Sequence, residues 1–166
     1  MVALLLVGCA PEREEFYELT IDDYSISVGY DNSEYMSNVY EYDIKNELQE
    51  GEVIKDVNIY LYNNLLGVGE FSNTKTKPIN CNDAVLTELT IYLNDLPGRT
   101  FRINGELLDK SIKTNCNKYN GTYINKNGYA CVIENNFDEV LNVIELHGDY
   151  LNIDQDEVDH ITIYVE

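Results

Sequence analysis

Basic residues are scarce in this 166-residue chain: 11 Lys+Arg stand against 30 Asp+Glu, a formal net charge of −19 at pH 7. A nucleic-acid backbone needs clustered Lys and Arg, so a nucleic-acid partner is excluded. No basic cluster adjoins an apolar run either, so charge gives no help in holding an anionic membrane. Histidine is scarcer still, with only His147 and His160, far apart in sequence. A Ser–His or Cys–His relay therefore has no evident place. Without a CxxC pair a zinc site is weaker still. The Walker loop, GxGxxG, HExxH and GxSxG are all missing, and Gly67-Val68-Gly69 lacks the third glycine and reads as a strand irregularity. The expectation is a protein that is not an enzyme. Tryptophan is absent while tyrosine occurs 14 times, much of it beside Ile and Val. Tyr suits half-buried sheet faces, its ring packed and its hydroxyl wet, so the composition favours strands over a helical bundle.

Long apolar runs are missing too. The strongest, Val2–Val7, is far short of the roughly 20 residues that span a bilayer. It fits the core of a secretory signal, although the basic region that normally precedes such a core is not seen before Val2. The run ends in Leu6-Val7-Gly8-Cys9 and turns polar at Glu12-Arg13-Glu14-Glu15. Those residues resemble the lipobox of prokaryotic lipoproteins, a branched apolar residue and two small or apolar ones before the lipidated cysteine. The resemblance implies lipid attachment at Cys9. Residues 1–8 would then be the signal remnant, 9–15 a tether and 16–166 a single domain. It also implies the extracytoplasmic face of the cell membrane or outer envelope, where the lipid chains contact the membrane and a protein or envelope partner is in reach. The rival reading is an N-terminal strand with an ordinary buried thiol. The acidic surface reads as plain solubility, with cation binding as its functional rival.

A lipidated Cys9 leaves Cys81, Cys116 and Cys131. Outside the cytoplasm a disulfide is permitted. Cys116 with Cys131 would close a short loop, and Cys81 with Cys116 is the rival. A hairpin of Tyr119–Ile124 and Tyr129–Glu134 around Asn125-Lys-Asn-Gly128 is expected to set Ile124 against Tyr129 and Thr122 against Cys131. Cys116 must then reach back through an Asn115–Gly121 loop.

Alternation of apolar and polar residues predicts most of the remaining strands. Phe16–Ile21 and Tyr24–Tyr30 change parity across Asp22-Asp23, which suggests one long strand with a bulge or corner. Val53–Tyr62 is the clearest strand, with Val53, Val57, Ile59 and Leu61 on one face. Asn63-Asn64 predicts a hairpin into Leu65–Phe71. Val85–Leu93 alternates on Val85, Thr87, Leu89, Ile91 and Leu93, and Asn104-Gly105 is the strongest short hairpin signal. Phe137–His147 breaks the pattern: Phe137, Val140, Leu141 and Ile144 recur at helical spacing, with His147 a helix-end cation. The rival there is a strand over Val140–Leu146. Eight or more short strands with regular turns predict a mainly β, antiparallel Ig-like sandwich with one short helix at 137–147.

Lys55-Asp-Val-Asn-Ile-Tyr-Leu-Tyr-Asn-Asn-Leu-Leu-Gly-Val-Gly69 resembles the central hairpin of Ig-like surface modules of the CARDB and FxLYD type. The resemblance covers residues 53–71 and implies a non-catalytic sandwich used for binding or display. Asp149, Asn152, Asp154, Asp156 and Asp159, with Glu157, put hard oxygen ligands at near-alternate positions and suit Ca²⁺, although the EF-hand pattern fails. The bland alternative is a solvated loop. Asn120-Gly121-Thr122 is a formal glycosylation sequon. The reading is thus a lipid-anchored extracytoplasmic binding or structural module, with no cofactor or with Ca²⁺ at 149–159 if that loop binds a solute.

Overall fold

The computed structural model describes residues 19–22, 24–26, 28–29, 47–61, 64–124, 129–137, 140–149 and 156–165. In chain order the strands begin with β1 (Leu19–Ile21), β2 (Tyr24–Ile26), β3 (Glu47–Leu48), β4 (Val53–Leu61), β5 (Asn64–Ser72) and β6 (Ile79–Asn80). They continue with β7 (Val85–Tyr92), β8 (Phe101–Ile103), β9 (Glu106–Leu107), β10 (Thr122–Ile124), β11 (Ala130–Phe137), β12 (Val140–His147) and β13 (His160–Val165). Among the described residues one α-helix, α1 (Ile112–Lys118), lies between β9 and β10. Seven strands form the main sheet in the order β10-β11-β12-β13-β7-β5-β4, four form a smaller sheet in the order β2-β1-β8-β9, and β3 pairs with β6. The fold is mainly β and antiparallel, with open sheets in a sandwich-like arrangement.

Inward side chains of both sheets join one cluster. Val57, Ile59, Phe71, Leu89, Ile91, Cys131, Leu146 and Ile161 come from the large sheet, and Leu19, Ile21 and Ile103 from the small one, each at most 1% exposed. A fully buried Leu, Ile or Phe contributes roughly 1.5–3 kcal/mol. Because side chains alternate along a strand, a one-residue slip would turn this set toward water. The helix seals the end of the core. Its Ile112, Asn115, Cys116 and Tyr119 follow the i, i+3, i+4, i+7 spacing and are all buried. Asn115 is completely buried and fully satisfied: its Nδ2 donates to the carbonyls of Asp109 (2.8 Å) and Ser111 (3.0 Å), and its Oδ1 accepts from Asp109 N (3.0 Å).

Several expectations need correction. Residues 140–147 are a strand, not part of a helix over 137–147: β12 pairs with β11 on one side and β13 on the other. Val and Ile are stiff at χ1 and β-prone, and placement between two strands overrode the helical spacing. The helix is instead α1, where a loop was expected. Its period was present, but Asn115 and Thr114 hid it among residues of low helix propensity. Asp22-Asp23 is not a corner in one long strand but a hairpin turn, with Leu19 opposite Ile26 and Ile21 opposite Tyr24. Asp22 takes the positive φ of 55° that this turn needs. In β4 the parity fails at Val53, which is 44% exposed while Val57 is fully buried. A bulge between Ile54 and Val57, with Asp56 at φ 56°, shifts the register there. The hairpin of β10 and β11 is one residue out of the expected register, with Tyr123, not Thr122, opposite Cys131.

Cys116 and Cys131 are disulfide-bonded with Cα atoms 5.5 Å apart, while Cys81 is a buried thiol. The bridge runs from α1 to β11, so the helix supplies the approach that a loop was expected to make. Asn104 and Gly105 both take positive φ, at 52° and 75°, in the tight turn between β8 and β9 that their sequence predicts. Residues 16–18 and 39–46, and the start of the expected 137–147 helix at 138–139, lie outside the described residues.

Gly67-Val68-Gly69 lies in β5 and is needed there. A Cβ on Gly67 would meet the carbonyl oxygen of Thr90 at 2.1 Å, and one on Gly69 would meet Ile59 Cδ1 at 2.5 Å. Gly67→Ala must push β5 away from β7. It is expected to lower the unfolding free energy by about 3 kcal/mol, read from the urea midpoint. A loss under about 0.5 kcal/mol, the scale of a neutral surface change, would show that no such close approach exists.

Candidate binding face on the seven-stranded sheet

Since Ile161 and Ile163 point into the core, His160, Thr162 and Tyr164 point out from the opposite face of β13. Cross-strand register carries this pattern sideways. His147 lies opposite His160, which lies opposite Tyr92; Glu145 lies opposite Thr162, which lies opposite Thr90; and Tyr164 lies opposite Glu88, which lies opposite Glu70. The outer face of the large sheet thus carries an aromatic row, a row of small residues and an acidic row. Adjacent strands are about 4.8 Å apart and rows on one face about 6.6 Å apart.

Between the rows the surface is concave. One depression of about 530 Å³ is lined by Glu88, Thr90, Tyr92, Glu145, His147, His160, Thr162 and Tyr164. A second of about 370 Å³ runs on toward β4, with Asp56, Asn58, Val68 and Glu70. Glu88, Thr90 and Tyr92 border both, so the two make one trough across the sheet. Gly69 lines its β4 end through its backbone, since a Cβ there would point inward at Ile59 and Leu86.

Both histidines of the chain stand in this trough. Their rings stack at 4.7 Å between centroids and 9° between planes, and the His160 ring also lies 5.5 Å from that of Tyr92. An ionised carboxylate only accepts hydrogen bonds, which fixes the donors. His147 Nε2 donates to Glu145 Oε2 (2.8 Å) and Tyr164 Oη to Glu145 Oε1 (2.8 Å). His160 Nδ1 donates to Asp159 Oδ2 (3.1 Å), whose Oδ1 accepts from Asn94 Nδ2 (2.8 Å). A polar chain therefore runs from Tyr164 through Glu145 and the histidine stack to Asp159 and Asn94. The Thr90 and Thr162 hydroxyls bond each other at 3.0 Å. The rings lie in nearly parallel planes, and a nitrogen of each is engaged with a carboxylate. No group of three or more metal-ligating side chains occurs among the described residues.

Charge in the trough is one-sided. Lys55 Nζ bonds Glu70 at 2.6 Å. Glu88, directly across from Glu70, forms no hydrogen bond or salt bridge with any described residue. Burial first, and then the charge of Glu70, push its carboxyl above the usual carboxylate range, with the Lys55 ammonium opposing and Glu145 assisting.

Sequence reasoning put the two histidines apart and read His147 as a helix-end cation. Thirteen residues separate them, but the β12–β13 register makes them direct neighbours. The acidic loop fares differently. Asn152 and Asp154 lie outside the described residues. Asp156 is held at the start of α1: its Oδ2 accepts from Ser111 Oγ (2.6 Å) and its Oδ1 from Lys113 N (3.1 Å). Ser111 in turn caps the helix by accepting from Thr114 N (3.1 Å). Asp159 serves His160 and Asn94, and Asp149 is half-buried beyond β12. All three expected calcium ligands among the described residues, Asp149, Asp156 and Asp159, thus have partners within the protein. Asn120 of the sequon is exposed, with φ 53°. Cys9 lies outside the described residues.

No family model, no curated protein and no solved structure matches this chain.

Burial, chiefly, holds His160 below the usual histidine pKa, with the hydrogen bond to Asp159 opposing and the nearby His147 assisting. A base whose folded pKa is depressed favours folding when neutral. Its contribution is complete above the unfolded value of about 6.5 and is lost as pH falls through the window below it, where the unfolded chain takes the proton first. Urea unfolding between pH 7.5 and 5 should show stability declining with a shallower slope in His160→Gln; equal slopes would mean that His160 is not the linked group. Asp156→Ala removes two bonds at the start of α1. It should cost about 1–2 kcal/mol by thermal melting, with Asp156→Asn milder; an unchanged Tm would mean that the cap contributes nothing.

Proposed function

We propose that this chain is a lipid-anchored extracytoplasmic module that binds its ligand without transforming it, and that the outer trough of the large sheet is its binding face. The observation that carries the reading is the trough itself: a rigid sheet presents an aromatic row, a small-residue floor and an unpaired carboxylate to solvent. Pockets of a few hundred Å³ with a few convergent polar groups are the usual form of a ligand site. The Thr90, Thr162 and Tyr164 hydroxyls and both imidazoles are bonded to each other or to carboxylates, so none of these stands as a nucleophile beside a free base. Leu6-Val7-Gly8-Cys9 supports the anchor, and the buried Cys116–Cys131 bridge suits an oxidising compartment. The short polar stretch 10–15 suits a tether that holds the face toward the aqueous side.

Expression in a lipoprotein-processing host, followed by intact mass measurement, tests the anchor. A chain starting at Cys9 with added diacylglycerol is expected, and Cys9→Ser should release the protein from the membrane fraction. An unmodified chain that still begins at Met1 would overturn the location.

A further inference from the structure

We infer that His147 and His160 form a proton-operated switch: the stacked pair accommodates one proton, and a second parts the rings and opens that end of the trough. The inference concerns the sheet itself and holds whatever the trough binds. The ring centroids are 4.7 Å apart, the planes are 9° from parallel, and the side chains are only 17% and 8% exposed. Like charges that close, and largely away from water, oppose each other strongly. Two such imidazoles titrate as a pair, in two macroscopic steps, and not as independent groups.

The surrounding groups decide where the pair titrates. From β12, Glu145 accepts from His147 at 2.8 Å, and just before β13 Asp159 accepts from His160 at 3.1 Å. Glu145 also accepts from Tyr164 of β13, and Asp159 from Asn94 beyond β7. β7 turns the Tyr92 ring to His160 and carries Glu88 farther along, while β11 sets uncharged Ala130 opposite His147. Among the described residues no lysine or arginine lines this depression. The carboxylates shift both steps together; the ring-to-ring distance is what separates them. Burial makes His160 resist charging, and the nearness of His147 adds to that resistance. Strand pairing on both sides of β12 and β13 holds the backbone. Relief from a second charge therefore comes from the side chains, which turn out into the trough and uncover Tyr92. Protonation of clustered histidines drives structural switching in just this way.

The test is side-chain ¹⁵N NMR of both imidazoles in the full chain, from pH 7.5 down to the onset of acid unfolding. In the wild type the two steps should stand at least about one pH unit apart. Ring-to-ring contacts should vanish across the second step while the amide signals of β12 and β13 persist. His147→Gln should leave His160 with a single step and a proton affinity about tenfold higher. By linkage, His160→Gln should raise the affinity of His147 by the same factor. Midpoints that ignore the loss of the other ring would show no coupling and overturn the inference. Rings that stay in contact through both steps, or until the whole sheet unfolds, would overturn the switch. Should either variant fail to fold, the wild-type curves and the fate of its ring contacts decide alone.

Discussion

One buried apolar cluster fixes everything else in this molecule. Val57, Ile59, Phe71, Leu89, Ile91, Leu146 and Ile161 must all point inward at once, and with a side-chain period of two only one register of each strand allows it. The bulges follow from the same demand. At Asp56 and again between Glu70 and Phe71 the register shifts, returning apolar residues to the inner face where strict alternation would have lost them. The edge strand β4 also gains from its bulge. Lys55 and Asp56 interrupt a flat edge that could otherwise pair with another chain.

The outer face is the complement of that constraint. Residues between the inward ones have no choice of side, so the cross-strand rows of His, Thr, Tyr and Glu are set by the packing beneath them. Two imidazoles 4.7 Å apart and two glutamates directly opposite are costly placements on their own. A core that strongly over-determines the backbone can hold them. Carboxylates at the ends of the chain of hydrogen bonds, Glu145 and Asp159, orient the histidine rings.

Elsewhere, polar groups are placed by local need. Asp156 secures Ser111 and the first turn of α1, and Asn115 satisfies the backbone between β9 and that helix. Asn73, only 2% exposed, does the same for the loop after β5: its Nδ2 donates to Leu48 O and Lys77 O, and its Oδ1 accepts from Lys75 N. Acidic and amide residues that look interchangeable in the sequence thus hold distinct structural posts.

Strand alternation was legible wherever it ran unbroken, as in Val57–Ile59 and Ile161–Val165, and so were turns built on residues that accept positive φ, such as Asn104-Gly105. Composition pointed to strands, because Tyr suits half-buried sheet faces, and alternation with regular turns pointed to an antiparallel β architecture. Bulges were not legible, since a parity change reads equally as a bend, a hairpin or a bulge until a partner strand is present. The strand over 140–147 was expected as a helix, with a strand as its rival, because neighbours on both sides and not propensity decided it, and the helix over 112–118 was not seen because a buried Asn disguised it. The trough was beyond reach. His147 meets His160, and Glu70 meets Glu88, only through pairing between strands distant in the chain, and no spacing within one segment records which strands will lie side by side.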